Sequence, residues 1–174
     1  LLTFPFARPE YDSVSGATPL AAMKFEDNFE LSGDLLLGFT SGSLGETGAF
    51  LILLGGAWLV YRNMMNWRIP AAILLTVFVT SSILSQLYPL QYPGPVFMLF
   101  SGGLMLGAIF MATDMVASPI TRLGSVIYGV IIGLLVVVIR LWGGMPEGVM
   151  YAILLANAVS PHIDRLVRPK VFGT

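Results

Sequence analysis

The stretch from Asp12 to Thr18, with the sequence DSVSGAT, is short and polar and is followed directly by Pro19. A threonine before a proline is typical of a helix start, where the hydroxyl accepts a backbone N–H and proline takes the first helical position. We therefore predict a short helical segment over Leu20 to Lys24, capped by Thr18. Backbone N–H groups at such a start favour a phosphate, for which Lys24 would be a counter-charge. The same spacing also fits an ordinary capped turn without a ligand.

Three acidic residues adjoin long apolar runs: Glu46, Asp114 and Asp164. An ionisable group beside a membrane segment is costly, so each is a candidate for an ion pathway or for charge compensation. Asp114 also fits an ordinary interfacial residue near Arg122. Asp164 also fits an ion pair with Arg165 or Arg168 at the cytoplasmic rim of the membrane.

The overall composition indicates that lipid is the solvent. The 174 residues are 56% hydrophobic and 11% charged, with a mean hydropathy of +0.82, whereas soluble domains have about 25% charged residues. The chain has no cysteine, which excludes disulfides, cysteine-bound zinc and iron–sulfur clusters within it. Its one histidine, His162, cannot form a bis-histidine haem site and is predicted to lie at the cytoplasmic interface. No metal site is predicted. The net charge of -1 means that the chain has no excess of basic residues with which to bind nucleic acid.

The apolar runs predict an all-α integral membrane protein with five transmembrane helices, since about 20 apolar residues span a bilayer. The clearest breaks contain proline, glycine or polar residues. The predicted spans are Glu46–Tyr61, Ile69–Leu87, Val96–Thr113, Leu123–Trp142 and Pro146–Leu166.

Two stretches do not read as ordinary spans. Leu35 to Thr47 is a short apolar run followed by glycine and hydroxyl residues, and Gly107 to Asp114 is similar in kind. Irregular backbone at membrane depth persists only in protein or beside a cavity, which predicts re-entrant half-helices. The pairs Gly103/Gly107 and Gly129/Gly133 have the spacing of helix-packing glycines.

The distribution of basic residues predicts the orientation. With five spans, six of the nine bases fall on the side of the C-terminus, and only Arg8, Lys24 and Arg140 fall on the other. Thr18 is therefore predicted to face outward and the C-terminus to face the cytoplasm, with Arg140 snorkelling to the outer interface. The predicted organisation is an extracytoplasmic segment at 1–34, a membrane part at 35–170 and a cytoplasmic tail at 171–174. Because the chain begins with Leu1, we also expect a piece of a longer protein.

The polar motif resembles the acceptor site at which flavin transferases join FMN to a threonine. Asp12 to Thr18 followed by Pro19-Leu20 is similar to the NqrB/RnfD family of membrane subunits, as are Pro146 to Asn157 and Arg168 to Gly173. The resemblance covers nearly the whole chain, and its C-terminal ending and Pro19 are nearer to the RnfD branch.

This resemblance implies a cofactor and its site. FMN is expected to be linked covalently through its phosphate to Thr18, with Ser15, Gly16, Ala17 and Lys24 around it. A separate flavin transferase is expected to make the bond, because a threonine hydroxyl is a poor nucleophile unaided. Riboflavin occurs as a second flavin in the NqrB relative, but no residue here is assigned to it.

The resemblance also implies a fold and an assembly. The family is similar to urea transporters, whose two inverted repeats have five helices each, and this chain corresponds to the second repeat. The expected function is electron relay in an ion-translocating (Na⁺ or H⁺) ferredoxin:NAD oxidoreductase of the bacterial cytoplasmic membrane. The expected partners are RnfA, RnfB, RnfC, RnfE and RnfG.

Two other functions fit part of the sequence. A urea-transporter-like channel or carrier would use the half-helices and the five-span repeat, but it has no use for the Asp12–Thr18 motif. A structural protein that only docks partners would show neither flavin nor flux.

Overall fold

A computed structural model describes residues 18–26, 48–89 and 92–168, and in these ranges the regular structure is entirely helical. The motif residues 12–17 and the predicted re-entrant run 35–47 lie outside the described residues. The helices, numbered here in chain order, are α1 (Pro19–Glu26), α2 (Ala49–Tyr61), α3 (Arg68–Leu87), α4 (Pro95–Phe100), α5 (Leu104–Leu106), which continues into a π-helical segment (Gly107–Met111), α6 (Arg122–Trp142) and α7 (Val149–Leu166).

Helix α6 is the centre of the described bundle and packs against α3 on one side and α7 on the other. Gly129 and Gly133 face α3, as their spacing predicts. A Cβ atom at Gly129 would lie 2.6 Å from Ala72 Cβ and 2.9 Å from the Ile69 carbonyl oxygen. The two helices therefore approach more closely than any residue with a side chain at these positions would allow.

The core lies between α3, α6 and α7. Most of its buried residues are branched aliphatic side chains, which recur about every four residues along α3 and α6. Its fully buried members include Ile69, Ile73, Val77, Ile132 and Val136. The opposite faces of α3 and α6 are apolar as well but exposed, as at Leu75, Phe78, Leu134 and Val138. A helix that is apolar on both its packed face and its outer face is typical of a lipid-exposed helix.

The third predicted span is not one continuous helix, so that prediction was wrong. Helix α4 ends at Phe100, and α5 begins at Leu104. The helix is interrupted between them by Ser101, Gly102 and Gly103. Gly102 has φ +66°, a left-handed conformation that favours glycine. The π-helical segment that follows lies within the stretch that we predicted to be irregular. Ser101, Gly102 and Gly103 are themselves a local break signal, which the long apolar runs on both sides obscured.

Among the described residues, α3 and α6 have the length and hydropathy of membrane-crossing helices, and α2 is a shorter apolar helix. Helix α7 follows the fifth predicted span but carries Asn157, Pro161 and Asp164, which lower its hydropathy. The all-helical class is therefore confirmed, while the count of five spans and the urea-transporter-like repeat stay predictions.

Candidate functional site

Thr18 caps α1 as the sequence predicts. Its Oγ1 accepts a hydrogen bond of 3.3 Å from the backbone N–H of Ala21, and Pro19 is the first residue of the helix. The hydroxyl thus lies at a helix start, where N–H groups lack intrahelical partners. Ser15, Gly16 and Ala17 lie outside the described residues, so their predicted part in binding a cofactor stays a prediction.

Lys24 reaches from α1 to the C-terminal end of α6. Its ammonium donates to the carbonyl oxygens of Arg140 (3.2 Å) and Met145 (3.0 Å) and to that of Gly143. Because the last carbonyls of a helix lack intrahelical donors, a cation is favourable there. These three bonds use all three ammonium hydrogens. The predicted contact between Lys24 and a phosphate therefore stays a prediction and would have to replace one of them.

The apolar side of α1 lies on the break in the third predicted span. Leu20 and Met23 are buried and form a cluster with Phe97 of α4, and Phe100 packs against that cluster. A Cβ atom at Gly102 would overlap Leu20 Cδ1. The glycine is thus favoured by its φ angle, and Leu20 Cδ1 occupies the space that a side chain at this position would need.

Arg140 lies beneath this contact and is fully buried, with 0% of its surface exposed. Its Nη1 donates to the Met98 carbonyl (2.6 Å) and its Nη2 to the Ser101 carbonyl (3.0 Å). The prediction that Arg140 snorkels to the interface was wrong. The broken helix leaves carbonyls without intrahelical donors, and the guanidinium satisfies them inside the protein.

Glu147 approaches the same point from the turn before α7. A Cβ atom at Gly102 would lie 3.3 Å from Glu147 Oε1 and 3.4 Å from Arg140 Nη2. Glu147 also lines a small cleft of about 80 Å³ together with Gly103, Leu106, Val149 and Met150. The break therefore brings together the opposite charges of Arg140 and Glu147, with the cleft on its Gly103 side. Sequence reasoning did not single out Glu147 as a site residue.

The predicted ion-pathway residues lie elsewhere. Asp164 Oδ1 accepts a hydrogen bond of 3.2 Å from Ile120 N–H, just before α6 begins. Asp114 is exposed, and its Oδ1 accepts 3.3 Å from Val116 N–H in the same connection. Glu46 lies outside the described residues. Asp164 thus lies at the N-terminal end of α6, and Asp114 lies in the connection that leads to that end. The rise from Arg122 to Arg140 puts this end of α6 about 27 Å along the helix axis from Arg140 and α1.

Two polar contacts in the bundle were not predicted. Tyr128, 1% exposed on α6, donates to Asn157 Oδ1 on α7. Asn66 Nδ2 donates to Ser125 Oγ over 3.0 Å at the start of α6. A polar residue at Asn157 within an apolar helix is the one sequence signal that could have indicated the first contact, since buried polar groups need partners.

The apolar helices, the close glycine packing and the helix break satisfied by a buried arginine define a helical membrane protein. The chain belongs to the NQR2, RnfD, RnfE family, whose model matches residues 1–173. This confirms the resemblance drawn from the polar motif and the C-terminal segments.

Individual relatives agree with this assignment. The D component of the ion-translocating oxidoreductase complex of Stutzerimonas stutzeri is 45% identical over 93% of this chain and 49% of the relative. The D component of the Na⁺-translocating ferredoxin:NAD⁺ oxidoreductase complex of Acetobacterium woodii is 40% identical over 95% and 51%. The proton-translocating counterpart of Clostridium ljungdahlii is 42% identical over 94% and 52%. The chain spans about half the length of these relatives.

Proposed function

We propose that this chain is the flavin-carrying part of the RnfD component of an ion-translocating ferredoxin:NAD⁺ oxidoreductase complex, with FMN attached to Thr18. Family membership and the names of the relatives support the complex. The observation that carries the flavin proposal is that Thr18 caps a helix docked on the membrane bundle. A tether at this place would keep a redox group beside the membrane.

The surroundings of Thr18 fit the phosphate end of FMN. The residue is half-buried and precedes the first N–H groups of α1, which lack intrahelical acceptors. When bound, FMN would supply the exchange of single electrons, whereas the protein would supply position and electrostatics. Ser15, Gly16 and Ala17 would shape the loop before Thr18. We assign no residue to a second flavin such as riboflavin.

The proposed topology places the Thr18 segment outside the cytoplasmic membrane and the C-terminus in the cytoplasm, with five spans forming one urea-transporter-like repeat. The separation of α1 from Asp164 along α6 supports opposite membrane sides for the two. Exposed Arg122, Arg165 and Arg168 share the end of Asp164, in agreement with a cytoplasmic excess of positive charge.

Glu46, Asp114 and Asp164 are proposed to serve ion passage or charge compensation, and RnfA, RnfB, RnfC, RnfE and RnfG are the proposed partners. A Na⁺-translocating and a proton-translocating relative have nearly the same identity to this chain. Overall similarity therefore assigns no coupling ion. The channel alternative is not favoured, because these relatives are named as oxidoreductase subunits.

The deciding experiment weighs the tryptic peptide that ends at Lys24, taken from the full-length protein made in cells with a flavin transferase. We expect an added mass of one FMN less one water, localised to Thr18. The addition should vanish in Thr18→Ala and persist in Thr3→Ala, which removes a threonine hydroxyl outside the Asp12–Thr18 motif. A bare peptide from cells with a working transferase would overturn the flavin proposal.

A further inference from the structure

Helix α1 contacts the rest of the protein through two different kinds of interaction. On one side Lys24 donates to three carbonyls at the end of α6 and the turn after it. On the other side Leu20, 0% exposed, packs on Phe97 and on the backbone at Gly102. These contacts join residues more than 70 positions apart in the chain, so local helix propensity does not explain them.

The two contact surfaces are themselves joined by Arg140. Its backbone carbonyl accepts from Lys24, while its side chain donates to the carbonyls of Met98 and Ser101 at the break. One residue thus connects α1, the C-terminal end of α6 and the end of α4. A displacement of α1 would break bonds to carbonyls that have no intrahelical donor.

We propose that Lys24 and Leu20 are positioning residues, which hold the Thr18 helix in one fixed place against the break at Ser101–Gly103. The importance of this position for electron relay rests on the flavin proposal above, but the docking itself does not. Thr18 is two residues from Leu20, so fixing α1 limits how far a group on Thr18 can move from the membrane bundle.

The docking is tested by the distance between two spin labels in the full-length protein within its complex. The 174 residues contain no cysteine, so Phe25→Cys and Leu166→Cys can carry the labels once cysteines elsewhere in the full-length protein are replaced. Phe25 is 73% exposed on α1, and Leu166 is 85% exposed at the far end of α7. We expect one narrow distance distribution with Lys24 present.

Lys24→Met should at least double the width of that distribution, because methionine keeps the chain length but donates no hydrogen bond. Lys24→Arg should keep it narrow, because arginine can still donate to the carbonyls. Arg62→Met removes the same charge from an exposed residue of the bundle and should have no effect. Leu20→Ala should widen the distribution independently. A narrow distribution in both Lys24→Met and Leu20→Ala would overturn the inference.

A second measurement separates positioning from cofactor attachment. The intact mass of Lys24→Met should still include FMN, while the rate at which the complex reduces that flavin should fall several-fold and recover in Lys24→Arg. Loss of the FMN mass in Lys24→Met would instead assign Lys24 to attachment and overturn the positioning role. If the parent protein itself carried no FMN, the flavin proposal would fail, and the label distances would still decide the docking.

Discussion

At the scale of single residues, Arg140 is the side chain on which the broken span depends. It is fully buried and donates to two carbonyls that helix α4 leaves without partners. Leaving a buried polar group unsatisfied costs about 1–3 kcal/mol, and bonds to charged groups are at the upper end. Sequence reasoning placed this arginine near the end of its helix, but it assumed water as the partner because the break after α4 was not predicted.

We expect Arg140→Met to lower the free energy of unfolding by about 3 kcal/mol, since two buried carbonyls lose their donor. The measurement is denaturant unfolding of the detergent-solubilised protein. Arg122→Met is the matched control, because Arg122 is exposed at the opposite end of the same helix. A loss in Arg140→Met no larger than in this control would show that the carbonyls find other partners.

At the scale of elements, the contact between α3 and α6 depends on the absence of side chains. We expect Gly129→Ala to destabilise the bundle by about 1–3 kcal/mol through overpacking, although alanine is the better helix former by about 1 kcal/mol. The added Cβ would lie 2.9 Å from the Ile69 carbonyl oxygen, and backbone cannot move aside as a flexible side chain can.

The matched control is Gly55→Ala, also within a helix, where the new Cβ would meet only Phe110 Cζ at 3.5 Å. That variant should be neutral or more stable in the same unfolding assay. Equal effects of the two substitutions would mean that helix propensity, rather than close packing, decides the stability at Gly129.

At the scale of the whole molecule, the apolar pattern predicted most of the fold. The limits of α3 and α6 agree closely with the predicted spans because both helices are bounded by proline, glycine or polar residues. The cap at Thr18 was predictable for the same local reason. The contacts of Lys24 were not predictable, because they join residues as far as 121 positions apart. The break at Ser101–Gly103 has a local signal in its serine and adjacent glycines, but it lies between two apolar runs and was missed. Local patterns describe elements, whereas the candidate site is made by contacts between them.

The separation of α1 from Asp164 leads to a prediction that only the whole complex can test. If electrons pass at the Thr18 end of α6 and ions are handled at the Asp164 end, a change at Asp164 should affect ion translocation and not electron transfer. Asp164→Asn keeps an oxygen that can accept from Ile120 N–H, so the connection before α6 should stay intact. We therefore expect unchanged FMN content and flavin reduction, but fewer ions moved per electron in proteoliposomes.

The control for this experiment is Arg165→Gln at the neighbouring, exposed position. It also removes one charge, but arginine is not a candidate ligand for a cation. This variant should leave the ion-to-electron ratio unchanged. An unchanged ratio in Asp164→Asn would remove Asp164 from the proposed pathway. The remaining candidates would then be tested in Asp114→Asn and Glu46→Gln. A parallel loss of flavin reduction would contradict the separation itself, because a residue about 27 Å along α6 from Arg140 should not limit electron entry at α1.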